Sequence, residues 1–151
     1  MKLYSWNVNG IRAAEKKGFL DWLQETKPDI VCLQETKAAV DQLSESLLSA
    51  HGYHTYFHSA EKRGYSGVAT YCKSLPLYVQ EGLGIERFDR EGRVLLTEHK
   101  NFLLYNIYFP NGQKDDERLQ YKLDFYDDLL EIINEQVESG MNVVVTGDWN
   151  T

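Results

Sequence analysis

Cysteine is scarce in this chain, and no segment is uniformly apolar. The only two cysteines among the 151 residues are Cys32 and Cys72, and both fall in runs with the pattern of a β-strand. Two cysteines exclude a disulfide-rich scaffold, and their placement indicates reduced, buried thiols instead of a metal site. No apolar stretch reaches the roughly 18 residues of a membrane span, and the first residues enter a strand pattern instead of a signal peptide. We therefore expect a soluble, cytoplasmic protein that does not enter membranes.

Basic residues are also in the minority, with 16 Lys and Arg against 23 Asp and Glu and a net charge of −7. This balance argues against a polyanion such as DNA, which favours Lys and Arg on the binding surface. However, residues 111–138 alone carry −6, because they hold nine acidic and three basic side chains. Residues 61–93 contain slightly more basic than acidic residues, with Arg63, Arg87, Arg90 and Arg93 near glycines. This second segment permits contact with phosphate.

The composition predicts a single domain with one sizeable core, because 42% of the residues are hydrophobic and 13% are aromatic. The first part of the chain predicts a parallel βαβ unit. It consists of a strand over residues 3–8, a helix that contains Phe19 and Leu23 and ends at Pro28, and a buried strand over residues 30–33. A second helix is predicted to start at Val40 and to end at Gly52. The strand-like runs that follow are predicted to be antiparallel, and they cover residues 53–59, 67–72, 94–98 and 102–109.

A long helix is predicted over residues 117–139. Its apolar residues step by four and three positions, which indicates one face packed on a sheet, and the acidic residues then occupy a solvated face. The apolar positions are Leu119, Leu123, Tyr126, Leu130, Ile133 and Val137. After Gly140, the run Val143 to Val145 is predicted to be a strand that is buried on both faces.

Polar side chains follow three of the predicted strands at their carboxyl ends. Asn7 ends the first strand, Glu35 follows the second, and Asp148 and Asn150 follow the last. Each residue alone is more typical of a turn or a helix cap. If the strands are parallel, however, all four side chains emerge at one edge of the sheet. Carboxylate and amide oxygens suit Mg²⁺ or Mn²⁺ and not zinc, so the conjunction predicts a divalent metal site.

Six segments in order along the chain resemble the motifs of the exonuclease III family, the abasic-site endonucleases of the exonuclease-endonuclease-phosphatase superfamily. These segments are residues 6–12, 33–37, 64–69, 88–93, 108–113 and 147–151. The resemblance implies that Glu35 binds a divalent metal directly and that Asn7 helps to set the metal site. It implies that Asp148 positions or deprotonates the attacking water and that Asn150 steadies the phosphoryl transition state. Tyr108 resembles the family's active-site tyrosine, whose phenol can donate a hydrogen bond to an oxygen that gains charge.

The same resemblance predicts a contact surface for double-stranded DNA with abasic sites or 3′ ends. Arg90, Asn111 and Gln113 match positions that contact the DNA backbone in the family. Such contacts position a duplex without reading its sequence. Tyr65 and Ser66 either line this surface or form a tight turn between neighbouring glycines, and the sequence leaves both readings open.

The implied fold is an α/β four-layer sandwich, of which this chain would supply one mixed sheet with helices on its outer face. Family members continue with a further aspartate and a catalytic histidine, and no residue here matches either. We therefore expect residues 1–151 to be a truncated amino-terminal half that is inactive alone. Its bare sheet face would support a homodimer.

Two alternatives to this enzyme remain. One is a non-catalytic half-domain that self-associates, and the other is a phosphoinositide phosphatase-type member of the same superfamily. The segments at residues 88–93 and 108–113 favour the DNA enzyme over the phosphatase.

Overall fold

The computed structural model describes residues 1–151 and contains eight strands. In chain order they are β1 (Leu3–Asn7), β2 (Ile30–Gln34), β3 (His54–His58), β4 (Val68–Cys72), β5 (Tyr78–Glu81), β6 (Val94–Glu98), β7 (Leu103–Tyr108) and β8 (Val143–Asp148). The strands form two four-stranded sheets, with the order β1-β2-β4-β3 in the first and β5-β6-β7-β8 in the second.

Both sheets are mixed. β1 and β2 are parallel with Leu3 opposite Ile30, and β7 and β8 are parallel with Leu103 opposite Val143. All other neighbours are antiparallel. The predicted βαβ unit and the predicted antiparallel strands are therefore confirmed, whereas the short strand β5 was not predicted.

Five α-helices accompany the sheets: α1 (Ile11–Lys16), α2 (Phe19–Thr26), α3 (Glu45–Leu48), α4 (Glu86–Asp89) and α5 (Asp116–Glu138). The predicted long helix is confirmed as α5. The predicted single helix from Val40 to Gly52 is wrong, because this segment consists of two 3₁₀ turns and the short α3. Ser44 has an extended backbone and its hydroxyl accepts the N–H of Leu47, so it starts a new helix in mid-segment.

The two sheets pack face to face. Ile30, Cys32 and Cys72 of the first sheet form a buried cluster with Leu104 of the second sheet. Both cysteines are free and fully buried, as predicted. The α/β class is confirmed, but the prediction of one sheet with a bare face is wrong. The chain passes from one sheet to the other between β4 and β5, so the second sheet covers the face that was predicted to be bare.

Helices cover the outer face of each sheet. Phe19 and Leu23 of α2 pack against Tyr71 of the first sheet. Phe125 of α5 packs with Phe88 of α4 against the second sheet, and their ring centroids are 5.2 Å apart. No helix of the structure is both long enough and apolar enough to span a membrane.

The buried face of α5 differs from the prediction. Phe125 and Leu129 are buried, whereas four of the predicted face residues are 45 to 58% exposed. These four are Leu119, Leu123, Leu130 and Val137. The helix carries two adjacent apolar stripes. The stripe that contains Phe125 packs on the sheet, where the Phe125 ring contacts the ring of Phe109 with centroids 5.6 Å apart.

The strand β8 is also less buried than predicted. It is the outermost strand of its sheet, and Val144 is 41% exposed. The prediction that β8 is buried on both faces is therefore wrong, while the same prediction for β2 is confirmed. The open edges formed by β1 and β8 lie next to each other at the same end of the two sheets.

Candidate active site

The carboxyl ends of β1, β2 and β8 meet at one edge of the packed sheets. The side-chain nitrogen of Asn7 donates to Glu35 Oε1 at 3.0 Å and to Asp148 Oδ2 at 2.7 Å. Asn7 and Glu35 come from the first sheet and Asp148 comes from the second. The structure thus brings together three of the residues that the strand-end pattern selected.

The backbone at this edge is tightly constrained. Glu35 has a φ of +53° and Asn150 a φ of +51°, a left-handed region that is uncommon for residues other than glycine. Gly147 lies so close to β7 that a Cβ atom there would collide with the carbonyl oxygen of Ile107. Left-handed residues and close backbone approaches cluster at functional sites, which supports a functional role for this edge.

Lys37 belongs to the site, although the sequence analysis did not select it. Its ammonium group lies 3.3 Å from Glu35 Oε2 and donates to Asn9 Oδ1 at 2.6 Å. The N–H of Asn9 in turn donates to Asn7 Oδ1 at 2.9 Å. These contacts direct the Asn7 amide nitrogen towards the two carboxylates and leave one positive charge beside Glu35. The only sequence signal for Lys37 was its position two residues after Glu35.

Asn150 and Tyr108 complete this edge of the site. The Asn150 side chain donates to the carbonyl of Phe109 at 2.7 Å, and its backbone N–H donates to Asp148 Oδ1 at 3.0 Å. Burial raises the pKa of Tyr108 to about 12, while the neighbouring Asn150 side chain acts in the opposite direction. The phenol of Tyr108 is therefore protonated at neutral pH and can donate a hydrogen bond.

The donor set of the site fits a hard divalent cation. Glu35 and Asp148 supply two carboxylates, and both contact the side-chain amide of Asn7. Asn150 adds a further amide. No group of three His, Cys, Asp or Glu side chains is arranged to hold a metal ion, so the site offers two carboxylates and amide oxygens. Mg²⁺ is commonly bound by one or two carboxylates and keeps several waters, so these residues suit Mg²⁺ or Mn²⁺.

A buried ion network adjoins Tyr108. Arg93 is 2% exposed, and its guanidinium donates to the carbonyl of Tyr108 at 2.9 Å and to the Tyr65 hydroxyl at 2.8 Å. Arg93 also forms an ion pair with Glu91 at 2.7 Å, and Glu91 forms a second ion pair with Arg118 at 2.9 Å. Arg93 is therefore not the free loop arginine that the charge pattern indicated. No pattern in the sequence signalled the burial of Arg93.

The residues predicted to contact DNA are only partly brought together. Asn111 and Gln113 are exposed and line a groove with Tyr65, and the Asn111 side chain accepts the Gln113 N–H at 2.8 Å. The groove is also lined by Tyr108 and by three cationic side chains, namely Arg93, Lys114 and Arg118. Lys114 and Arg118 were not selected from the sequence.

The other two predicted contacts lie apart from this groove. Ser66 is 2% exposed with a φ of +53°, and its hydroxyl donates to the carbonyl of Gly92. This geometry favours the tight-turn reading of Ser66. Arg90 is exposed just after α4, where its backbone carbonyl accepts the N–H of Glu61, and it does not line the groove.

The chain belongs to the Endonuclease/Exonuclease/phosphatase family, whose profile matches residues 4–151. It is 42% identical over 151 residues to the exodeoxyribonuclease of Bacillus subtilis (strain 168), covering 99% of this chain and 58% of that protein. It is 47% identical over 124 residues to the DNA repair nuclease APEX1 of Danio rerio, covering 81% of this chain and 40% of that protein.

A solved structure agrees with this assignment. The fold superposes on the catalytic domain of Xenopus laevis APE2 with a TM-score of 0.87 and 37% identity, covering 100% of this chain and 59% of that chain. The chain therefore spans about six tenths of this solved structure and of the Bacillus subtilis relative.

The buried network predicts how Glu91 contributes to stability. Burial pushes the pKa of Glu91 upwards, but the hydrogen bond from Arg118 and the charge of Arg93 outweigh burial and hold that pKa below its usual value of 4.5. A carboxyl group whose pKa is lower in the folded state stabilises the fold at pH values above its unfolded-state pKa. This stabilisation is lost as the pH falls through the folded-state pKa. Glu91→Gln should cost about 3–5 kcal/mol at pH 7, because the variant leaves Arg93 buried without its partner.

Urea unfolding of the variant and the parent chain between pH 7 and pH 3 measures this effect. The difference between the two chains should shrink as the pH falls below about 4.5, the usual pKa of the carboxyl. Glu61→Gln is the matched control, because Glu61 is exposed. Equal unfolding midpoints for Glu91→Gln and the parent at pH 7 would contradict the assignment.

Proposed function

We propose that this chain is the amino-terminal part of a divalent-metal-dependent DNA repair phosphodiesterase that incises at abasic sites and removes nucleotides from 3′ ends. The observation that carries the proposal is the Asn7 amide, which donates to Glu35 and to Asp148 from two different sheets. Such convergence places two carboxylates together at a half-exposed strand edge. The names of the DNA nucleases to which the chain is similar support the same reaction class.

The site residues have distinct chemical roles in this proposal. Glu35 and Asp148 would hold Mg²⁺ or Mn²⁺, with Asn7 fixing their orientation and Asn150 completing the site. A cation held by these residues would supply positive charge for a phosphoryl oxygen and for the leaving group. Asp148 orients the attacking water and accepts its proton. The protonated phenol of Tyr108 donates a hydrogen bond to the phosphoryl oxygen that gains charge.

The groove beside Tyr108 provides the surface for the DNA backbone. Asn111 and Gln113 offer amides to phosphate oxygens, while Lys114 and Arg118 add positive charge. Contacts of this kind give affinity without sequence preference and weaken with salt. Arg90 is exposed but lies outside this groove, so its contact with the DNA backbone stays a prediction from the resemblance. Buried Ser66 shapes the turn that carries Tyr65.

Metal binding tests the proposal directly. We expect Mg²⁺ to bind weakly, because two carboxylates and two amides form an open site and not a closed cage. Isothermal calorimetry with Mg²⁺ and paramagnetic titration with Mn²⁺ measure the affinity. Glu35→Ala and Asp148→Ala should each remove the binding, whereas Glu61→Gln should leave it unchanged. Submicromolar Mg²⁺ affinity, or binding that survives both alanine variants, would contradict the site.

Incision of DNA tests how much chemistry the chain performs alone. All four histidines lie outside the six motif segments, and the resemblance implies a catalytic histidine that nothing here supplies. We therefore expect no cleavage of an abasic-site duplex above background at millimolar Mg²⁺. Metal-dependent cleavage by the purified chain that is lost in Glu35→Ala would show that residues 1–151 suffice for catalysis.

A second candidate is a non-catalytic module that self-associates. The observation in its favour is the apolar surface around the open edges of β1 and β8, where Trp6, Val144 and Trp149 are 41 to 44% exposed. The exposed stripe of α5 adds four further apolar side chains. The phosphoinositide phosphatase-type alternative gains no comparable observation, because the named relatives are DNA nucleases.

Self-association is measured by sedimentation at micromolar concentration. For this candidate we expect a homodimer, because a second copy would cover the exposed apolar side chains of α5 and of the two open edges. Leu123→Lys and Leu130→Lys should favour the monomer, while Leu75→Lys should not, because Leu75 is 69% exposed in the loop between β4 and β5. A parent chain that sediments as a 17.5 kDa monomer and binds no hydrophobic dye would exclude this candidate.

A further inference from the structure

Two buried amide side chains join the sheets beneath the candidate site. Gln34 Nε2 donates to Asn106 Oδ1 at 2.9 Å, and the two residues are 1% and 0% exposed. Gln34 ends β2 immediately before Glu35, and Asn106 lies in β7 two residues before Tyr108. The hydrogen bond therefore crosses from one sheet to the other within two residues of the site on each side.

Each amide also holds strands of the first sheet. Asn106 Nδ2 donates to the carbonyl of Ala69 at 2.8 Å and to Thr70 Oγ1 at 3.1 Å, both in β4. Gln34 Nε2 donates to Ser5 Oγ in β1 at 3.1 Å. The pair thus connects β1, β2 and β4 of one sheet to β7 of the other.

The strand registers link this pair to the site residues. Gln34 is opposite Asn7 in the parallel pair β1 and β2. In the second sheet, Asn106 is opposite Thr146 and Tyr108 is opposite Asp148. A shift of one sheet over the other at Gln34 and Asn106 would therefore move Asn7 relative to Asp148 by a similar amount.

The apolar part of the contact between the sheets specifies their offset only weakly. One other directional contact, a hydrogen bond of 2.9 Å between His58 Nδ1 and the carbonyl of Val94, lies at the other pair of strands, β3 and β6. The buried cluster of the apolar part consists of Ile30, Cys32, Cys72 and Leu104, and apolar contact is non-directional. The amide bond, by contrast, has a required direction and length. A displaced pairing would leave a buried amide without a partner, which is strongly unfavourable in an apolar interior.

We propose that Gln34 and Asn106 are positioning residues that fix the offset between the two sheets and so hold Glu35 and Asn7 against Asp148 and Tyr108. The consequence for catalysis rests on the proposed function. The positional consequence does not, and it can be measured on the chain without metal or DNA.

The Asn7 side chain is a direct reporter, because its amide nitrogen donates to Glu35 and to Asp148. Its NH₂ signals in a ¹⁵N-labelled sample report whether carboxylates from both sheets still meet there. The signals of Glu35→Gln and of Asp148→Asn define where the resonance lies when each contact is altered.

The variants are Gln34→Leu, Asn106→Leu and the double variant, each measured for stability and for the Asn7 signal. The single variants should lose stability and shift the Asn7 signal. Gln34→Leu leaves Asn106 Oδ1 without its donor, and Asn106→Leu leaves Gln34 bonded only within the first sheet. The double variant should recover part of the stability, since both partners are then apolar. Its Asn7 signal should stay displaced, because the directional link between the sheets is still missing.

Two further variants keep the test informative if a single variant does not fold. Tyr71→Phe removes another buried hydrogen bond, from the Tyr71 hydroxyl to the carbonyl of Leu47 at 2.7 Å, and should lower stability without moving the Asn7 signal. Thr70→Val removes one acceptor of Asn106 and should shift the signal slightly in the direction seen for Asn106→Leu.

A purely structural role for the pair predicts a different result. The Asn7 signal would then stay unmoved in every folded variant, or it would return to the parent position in the double variant, and either outcome would overturn the proposal. Where Mn²⁺ binds, its affinity should also fall about 10- to 100-fold in the double variant, the range typical of residues that orient metal ligands. Failure of the parent chain to bind metal would count against the proposed function and would leave the Asn7 result valid.

Discussion

The face-to-face packing of the two sheets is the constraint on which the candidate site depends. In the first sheet Asn7 ends β1 and Glu35 follows β2, while in the second sheet Tyr108 ends β7 and Asp148 ends β8. Neither sheet carries enough of these groups to hold a cation or to act on a phosphate. The hydrogen bond of 2.7 Å between Asn7 and Asp148 exists only because the strand ends of both sheets reach the same edge. The site is therefore a property of the interface between the sheets.

Two charged clusters lie near this edge, and they differ in how far their charges are compensated within the protein. The Glu91 carboxylate accepts ion pairs from Arg93 and Arg118, so its charge is fully compensated within the protein. The Glu35 side chain is 21% exposed and faces one lysine, with a second carboxylate nearby. A site with surplus negative charge and partial access attracts a cation, whereas a compensated network rigidifies the loops around it. The Glu91 cluster thus supports Tyr108 through Arg93, and the Glu35 cluster is open to a ligand.

The sequence predicted the elements and the strand-end residues better than their arrangement. Hydrophobic runs identify β2 and α5, and parallel strands oblige their carboxyl ends to share an edge, so Asn7 and Glu35 were expected to meet. The division into two sheets was not predictable in this way, because both β4 and β6 are mainly apolar runs and neither sequence specifies its partner strand. The burial of Arg93 was missed for a related reason. It requires Arg118, 25 positions further along the chain, to approach Glu91, and no local pattern encodes that approach.

The negative net charge does not conflict with a polyanionic partner, because the acidic side chains of α5 do not line the groove beside Tyr108. Exposed acidic residues, including Asp127, Glu131 and Glu135, occupy the middle and end of this helix. The first turn of α5 also carries Asp116 and Glu117, but Arg118 and the preceding Lys114 are the side chains that line the groove next to Tyr108. Surface charges separated by more than a Debye length, about 8 Å at physiological salt, are largely screened from each other. A phosphate in the groove would therefore respond mainly to the nearby cations, and the acidic end of α5 would contribute to solubility more than to repulsion.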